Sequence, residues 1–221
     1  MPDITTPVNI NSFSTIISNN PHSKSKDWNL SCYKNLKEHI KEHYSIIQED
    51  KCFYCKINLR HGGYGEPIEH IVPKSDKLDW MFEPKNLALS CYACNTKKNA
   101  KNTLSNNAIT MVNYPSNPTD FIIYHPHFDI WNNELEIIYD FFIRAKTTKG
   151  EKTMEVCDLY RFNLPLDKAK QKDWKEEPFK IRVIEKILLD TSIDPDIIEQ
   201  CKKIIDEIIH RSKIRNKLSK K

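Results

Sequence analysis

Between residues 52 and 101 the chain holds four cysteines as two Cys-x-x-Cys pairs, Cys52 with Cys55 and Cys91 with Cys94. A Cys-x-x-Cys turn aims two thiolates at one point, and two such turns complete a tetrahedral four-sulfur site of the kind zinc prefers. A site closed by four thiolates keeps no position for water or substrate. Its work is therefore structural: it ties two distant segments together and contributes folding energy where the core is small. Two redox-active pairs are the competing reading, and the separation of the pairs in a chain without a secretion signal favours zinc. Cys32, Cys157 and Cys201 stand singly, as expected of buried thiols in a reducing compartment.

Between the pairs lies Ile68-Glu69-His70-Ile71-Val72-Pro73-Lys74-Ser75. Pro73 pushes Val72 toward extended geometry, which puts His70 on or just after a strand end. Asn86-Leu87-Ala88-Leu89-Ser90 reads as a second short strand, and the stretch from Asn95 to Lys101 opens a helix. The expected order is strand, loop, strand, helix, clamped by the cysteine pairs. The imidazole of His70 titrates near neutrality and can accept a proton at working pH. Glu69 and Asn95 offer hard oxygen atoms, which suit Mg²⁺ or Mn²⁺ better than zinc. Asn86 is placed to hydrogen-bond backbone across the loop and orient His70. Lys97 and Lys98 stand at the helix start, where phosphate also finds free N–H groups. The plainer reading of these two is solvated lysines.

In residue type, order and cysteine framing together, residues 50–105 resemble an HNH endonuclease with the ββα-metal fold, in the subgroup with four zinc-binding cysteines. The family's acid–histidine pair matches Glu69-His70. Its central asparagine matches Asn86, inside an Asn-Leu-x-x-x-Cys-x-x-Cys-Asn-x-x-Lys string. Its last position, often histidine, is Asn95 here, which makes this the HNN form. The resemblance implies a divalent cation held by Glu69, Asn95 and the scissile phosphate, with His70 as base toward water. Two departures matter. Glutamate stands where aspartate is also common, and its longer arm shifts the metal slightly. Asparagine for histidine removes a nitrogen ligand and favours harder metals.

The remainder must support this arrangement. Residues 1–49 read as an N-terminal arm and helix. Trp28, Tyr33, Leu36, Ile40, Tyr44 and Ile47 recur at helical spacing and lead into the first cysteine pair. His39 and His43, four apart, lack an evident third ligand. Three of the four glycines fall at residues 62–65, in a turn ahead of His70. Trp80, in the loop between the strands, is expected in the core ahead of stacking on a base. Residues 106–221 read as an α+β segment followed by helices. They contain a loop, a strand at residues 121–124, the string His125-Pro126-His127-Phe128-Asp129, a small sheet at 134–145 and a helix at 151–162. That string tempts a metal assignment; substrate contact by His125 or His127 is the stronger reading. Arg161 is an alternative phosphate clamp, with a surface salt bridge as its plainer role. The last quarter carries an apolar stripe from Ile197 to Ile209, and residues 202–221 carry eight basic and two acidic side chains. Such a tail suits attraction to nucleic acid, or is simply a solvated helix end.

The expected fold is α+β: a small ββα core with a four-cysteine structural zinc, flanked by helices and a short extra sheet. With no run of about eighteen apolar residues and no apolar signal core, a cytoplasmic protein without a membrane span is expected. The expected activity is metal-dependent hydrolysis of DNA or RNA. In architecture the chain looks like the HNH subunits of bacterial anti-phage systems, Septu-type and retron-associated ones included, which work beside an ATPase partner. A restriction-type or homing-type nuclease is the alternative, and a non-catalytic zinc-stabilised binding module is the alternative from another class. Nothing in the sequence distinguishes DNA from RNA.

Overall fold

The computed structural model describes residues 1–20, 22–59, 67–138 and 142–160, together with Pro195, Ile198 and Glu199. The chain divides into two compact units, Met1–Gln171 and Lys172–Lys221. The glycine-rich turn, Arg161, the stripe from Ile197 and the basic tail were read in the sequence; all but Ile198 of that stripe lie outside the described residues.

The N-terminal arm has little regular structure beyond helix α1 (Ser14–Asn19), yet Ile4 and Val8 are buried. What pins it is helix α2 (Lys34–Ile47), whose Leu36, Ile40 and Tyr44 recur every four residues and form one buried face. From that helix His39 Nε2 bonds the Asn9 carbonyl at 2.9 Å, and His43 Nε2 bonds the Thr6 carbonyl at 2.9 Å. The two histidines are thus backbone anchors for the arm. Tyr44 Oη accepts from Val8 N–H and donates to the Pro84 carbonyl, linking arm, helix and the loop before the second strand. Ahead of α2 the chain does not run as one helix from residue 27: two short 3₁₀ turns, Ser25–Asn29 and Ser31–Tyr33, bury Trp28 and Tyr33 first.

Strands β1 (Ile68–His70) and β2 (Leu87–Leu89) pair antiparallel, with Glu69 opposite Ala88 and His70 opposite Leu87. The Gln48 side chain, just past α2, completes the outer edge of β2 by bonding both the N–H and the carbonyl of Leu89 at 2.8 Å. Helix α3 (Tyr92–Lys98) follows directly. The expected strand–loop–strand–helix order is therefore present. Helix α4 (Trp131–Glu134) leads into strands β3 (Leu135–Ile138) and β4 (Phe142–Ala145), the expected extra sheet, and helix α5 (Thr148–Cys157) packs on β4 and α3. The fold is α+β.

Residues 121–124 do not form the expected strand. Phe121 makes a single bridge to Leu104, and the backbone N–H of Tyr124 is taken by Thr153 Oγ1 at 2.7 Å, so no ladder can continue. Trp80 is a core residue, buried with Val72, Leu104 and Phe121, and its indole N–H donates to the Val112 carbonyl at 3.0 Å. None of the described helices is long and apolar enough to cross a membrane.

Gly150 lies in the first turn of α5 against the end of α4. A Cβ there would stand 2.0 Å from the Glu134 carbonyl oxygen, a backbone atom that cannot step aside. Gly150→Ala is therefore expected to destabilise the protein by about 2–3 kcal/mol, read as a lower urea midpoint. An unchanged midpoint would mean that α5 docks more loosely than described.

Candidate metal cluster and active-site cleft

Cys52 and Cys55 lie on the turn after α2. Cys91 is the N-cap of α3, where its sulfur accepts the Cys94 N–H, and Cys94 lies in the first turn. Lys56 closes the first knuckle at φ 58°, donating its N–H to the Cys52 carbonyl at 2.8 Å. The four sulfurs lie within 4.8 Å of one another, and Cys55 and Cys91 are 3.8 Å apart. A tetrahedron with metal–sulfur bonds of about 2.3 Å has edges of about 3.8 Å, so the cluster has zinc-site spacing. Hydrogen bonds from Cys52, Cys55 and Cys94 hold the Cys91 thiol far below its ordinary range, while burial pushes Cys52 and Cys94 up. Among the described residues, no other group of histidines, cysteines and carboxylates gathers in this way, so His125, His127 and Asp129 make no metal set.

A cleft of about 240 Å³ opens beside the sheet, bordered by Glu69, His70, Lys74, Asn95 and Lys98, with Ser25 on its rim. Side chains alternate along a strand, so Glu69 and His70 turn opposite ways from the end of β1. Glu69 meets α3. Its Oε1 lies 2.6 Å from the Lys98 ammonium, both side chains being almost wholly buried. Burial raises the Glu69 carboxyl above its usual range, against the opposing pull of Lys98 and Lys74. His70 meets the Trp28 indole edge-on at 4.6 Å between ring centres. Its Nε2 bonds the Met81 carbonyl at 3.0 Å. A carbonyl only accepts, so neutral His70 carries its proton on Nε2 and presents the Nδ1 lone pair as the basic nitrogen. Burial, with help from Lys74, drives its pKa down to about 3. The ring is therefore neutral throughout the physiological range. Asn95, one residue after Cys94, is half-buried on the cleft wall.

Asn86 lies behind the cleft and is fully buried. Its Oδ1 accepts the Val72 N–H at 2.7 Å, and its Nδ2 donates to the Val72 and Trp80 carbonyls. It thereby closes the loop that presents the Met81 carbonyl to His70. A chain of bonds runs outward from it: Tyr114 Oη lies 3.2 Å from Asn86 Oδ1 and 2.8 Å from His125 Nε2. His125 Nδ1 in turn accepts the His127 N–H. The histidine string is thus a buried brace for the loop. Of the two lysines expected to meet phosphate, Lys97 is exposed and paired with Asp158 at 3.0 Å, whereas Lys98 turns inward to Glu69. Lys74, Ser25, Trp28 and Tyr114 were not singled out from the sequence as parts of the site. Only Lys74 carried a usable signal, as a cation four residues after His70 on the same loop.

His127 is buried, with Nε2 on the Leu87 carbonyl at 3.0 Å, and burial lowers its pKa to about 4. The unfolded chain, with its ordinary value of about 6.5, binds the proton first as pH falls. The contribution is complete above pH 6.5 and is lost between there and pH 4, at roughly 1.4 kcal/mol per unit. Going from pH 7.5 to 5 should cost the wild type about 2 kcal/mol more than His127→Gln, whose amide keeps a donor for Leu87. Urea denaturation at both pH values checks this; parallel losses in the two proteins would contradict it.

Residues 52–101 match the family model described as HNH endonuclease. The Septu protein PtuB of Bacillus thuringiensis is 26% identical over 123 residues, an alignment covering 56% of this chain and 42% of that protein. The chain thus spans less than half the length of this relative.

Proposed function

We propose, on the premise that residues 52–101 are an HNH endonuclease module, that this chain hydrolyses nucleic-acid phosphodiester bonds in the cleft bordered by Glu69, His70 and Asn95. The observation that carries the reading is that Glu69, His70 and Asn95, from β1 and α3, border one cleft. Among the described residues, neither His70 Nδ1 nor the Asn95 side chain has a hydrogen-bond partner. The donor set fits Mg²⁺ or Mn²⁺, since Glu69 and Asn95, both on the cleft, offer hard oxygens. A cation bound there supplies charge stabilisation at the phosphate and the departing 3′ oxygen.

In this reading His70 Nδ1 takes the proton of the attacking water, while its Nε2–H stays on the Met81 carbonyl. A buried imidazole with a low pKa is a weak base in the free protein, and an approaching phosphate, being anionic, moves it upward. Asn86 holds the loop that orients the ring. Lys74 borders the cleft and is partly buried, which lowers its pKa; it is the cation placed to meet a phosphate oxygen. Lys97, on the exposed side of α3, extends that contact along the strand. Cys52, Cys55, Cys91 and Cys94 hold structural zinc. The sequence resemblance to Septu-type subunits and the Septu protein PtuB relative together support a role in anti-phage defence beside an ATPase partner.

The test is cleavage of plasmid DNA, single-stranded DNA and total RNA with Mg²⁺, Mn²⁺ or EDTA. Divalent-dependent cutting of one class names the substrate. Binding without cutting, with and without a co-purified ATPase, would favour the non-catalytic binding module.

A further inference from the structure

The acid of this cleft already holds a cation. Lys98 is 1% exposed, and its ammonium is surrounded by three oxygens: Glu69 Oε1 at 2.6 Å, the His70 carbonyl at 2.8 Å and the Asn99 carbonyl at 3.3 Å. The third oxygen is reached through an unusual backbone. Asn99, the C-cap of α3, has φ 45° and ψ −128°, a region that non-glycine residues rarely occupy. The chain thus adopts a disfavoured turn where one more oxygen meets the ammonium. The contact with Glu69 joins two opposite charges that are both almost wholly buried. The rest of the cleft sharpens the point. Its lining contains one carboxylate, Glu69, and two cations, Lys74 and Lys98.

We propose that Lys98 is an internal competitor for the divalent cation: it occupies Glu69 in the free protein and thereby suppresses metal binding. A divalent ion entering this cleft meets two positive charges and a carboxylate already paired. Between groups as buried as Glu69 and Lys98, charges interact more strongly than in water. Removing one partner of a buried pair also leaves the other charge uncompensated, so a second cation becomes the natural replacement. A nucleic-acid phosphate, by adding negative charge beside Lys74, would tilt the balance toward the metal. The inference rests on the proposed reading of Glu69 as a metal ligand.

The experiment measures Mn²⁺ binding to the free, zinc-loaded full-length chain by electron paramagnetic resonance. The proteins are wild type, Lys98→Met, Lys98→Gln and each Lys98 variant combined with Glu69→Gln. Lys98→Gln keeps a hydrogen-bond donor for the carbonyls and removes only the charge. At least one single variant is expected to bind Mn²⁺ tenfold or more tightly than wild type, and Glu69→Gln should abolish the gain. Melting of the zinc-loaded proteins with and without added Mn²⁺, and without chelator, gives a second readout. The variant should melt lower than wild type without Mn²⁺ and gain more from it, because ligand binding to the folded form raises its stability. Equal or weaker Mn²⁺ binding in both folded variants would overturn the proposal and make Lys98 an orienting partner of Glu69. Loss of the fold in both, unrescued by Mn²⁺, would overturn it equally. Cleavage is scored separately. Tighter binding in a protein that cuts nothing sinks the nuclease reading alone, and an active wild type with no gain in the variants sinks this inference alone.

Discussion

Cys94→Ser is expected to unfold the first unit of the chain or leave it without cooperative melting, and chelation of the wild type should do the same. Cys94 is fully buried and opens α3. The helix has seven residues, too few to persist on propensity alone. What fixes it is the clamp through Cys91 and Cys94 to the turn carrying Cys52 and Cys55. Structural zinc in small domains contributes on the order of 10–16 kcal/mol of binding free energy, comparable with the roughly 5–15 kcal/mol net stability of a typical domain. Losing one of four ligands forfeits a large part of it. Metal analysis should find one zinc per chain in the wild type, and thermal melting should show the loss. A variant that melts like the wild type, with the wild type indifferent to a strong chelator, would remove the metal from the account of folding.

The second large effect is on turnover. His70→Ala is expected to lower cleavage by about 10²–10⁴-fold, the usual contribution of a positioned proton acceptor. Mn²⁺ affinity should stay within a factor of a few, because Glu69 and Asn95 are untouched. Some stability will also go, since the ring fills space against Trp28 and its Nε2 satisfies the Met81 carbonyl. A melting curve alongside the assay separates the two losses. If His70→Ala cuts as fast as the wild type, His70 is not the base. If it loses metal together with activity, its role is in building the site. Burial and the nearby Lys74 lower the pKa of the ring, so in the proposed mechanism it depends on the substrate's negative charge to become a competent base.

How much of this could be read from residues alone follows the range of the forces involved. The cysteine pairs, Glu69-His70 and the Asn86-to-Lys98 string are local patterns. A Cys-x-x-Cys turn sets its own geometry, so the cluster was legible, and the apolar spacing of Leu36, Ile40 and Tyr44 marked α2. The short strands were legible because Pro73 and the cysteine-flanked run limited what else those residues could form. Residues 121–124 misled for the complementary reason. Four apolar residues suit a strand, but a strand needs partners, and Thr153, some thirty positions away, takes the Tyr124 N–H.

Residue types and their spacing set the chemistry available: four thiols for a metal, an imidazole for a proton, hard oxygens for a divalent cation, and their order along a strand, loop, strand and helix. Tertiary structure alone decided which groups meet. It placed the Trp28 ring on His70 across 42 positions, and it made backbone anchors of His39 and His43. It built the His125–Tyr114–Asn86 brace from side chains that looked like a metal set, and it turned Lys98 inward onto Glu69. Each of these depends on burial and on pairing between distant residues. A buried charge or polar atom must find its partner wherever the fold brings one, and no local pattern states which partner that will be.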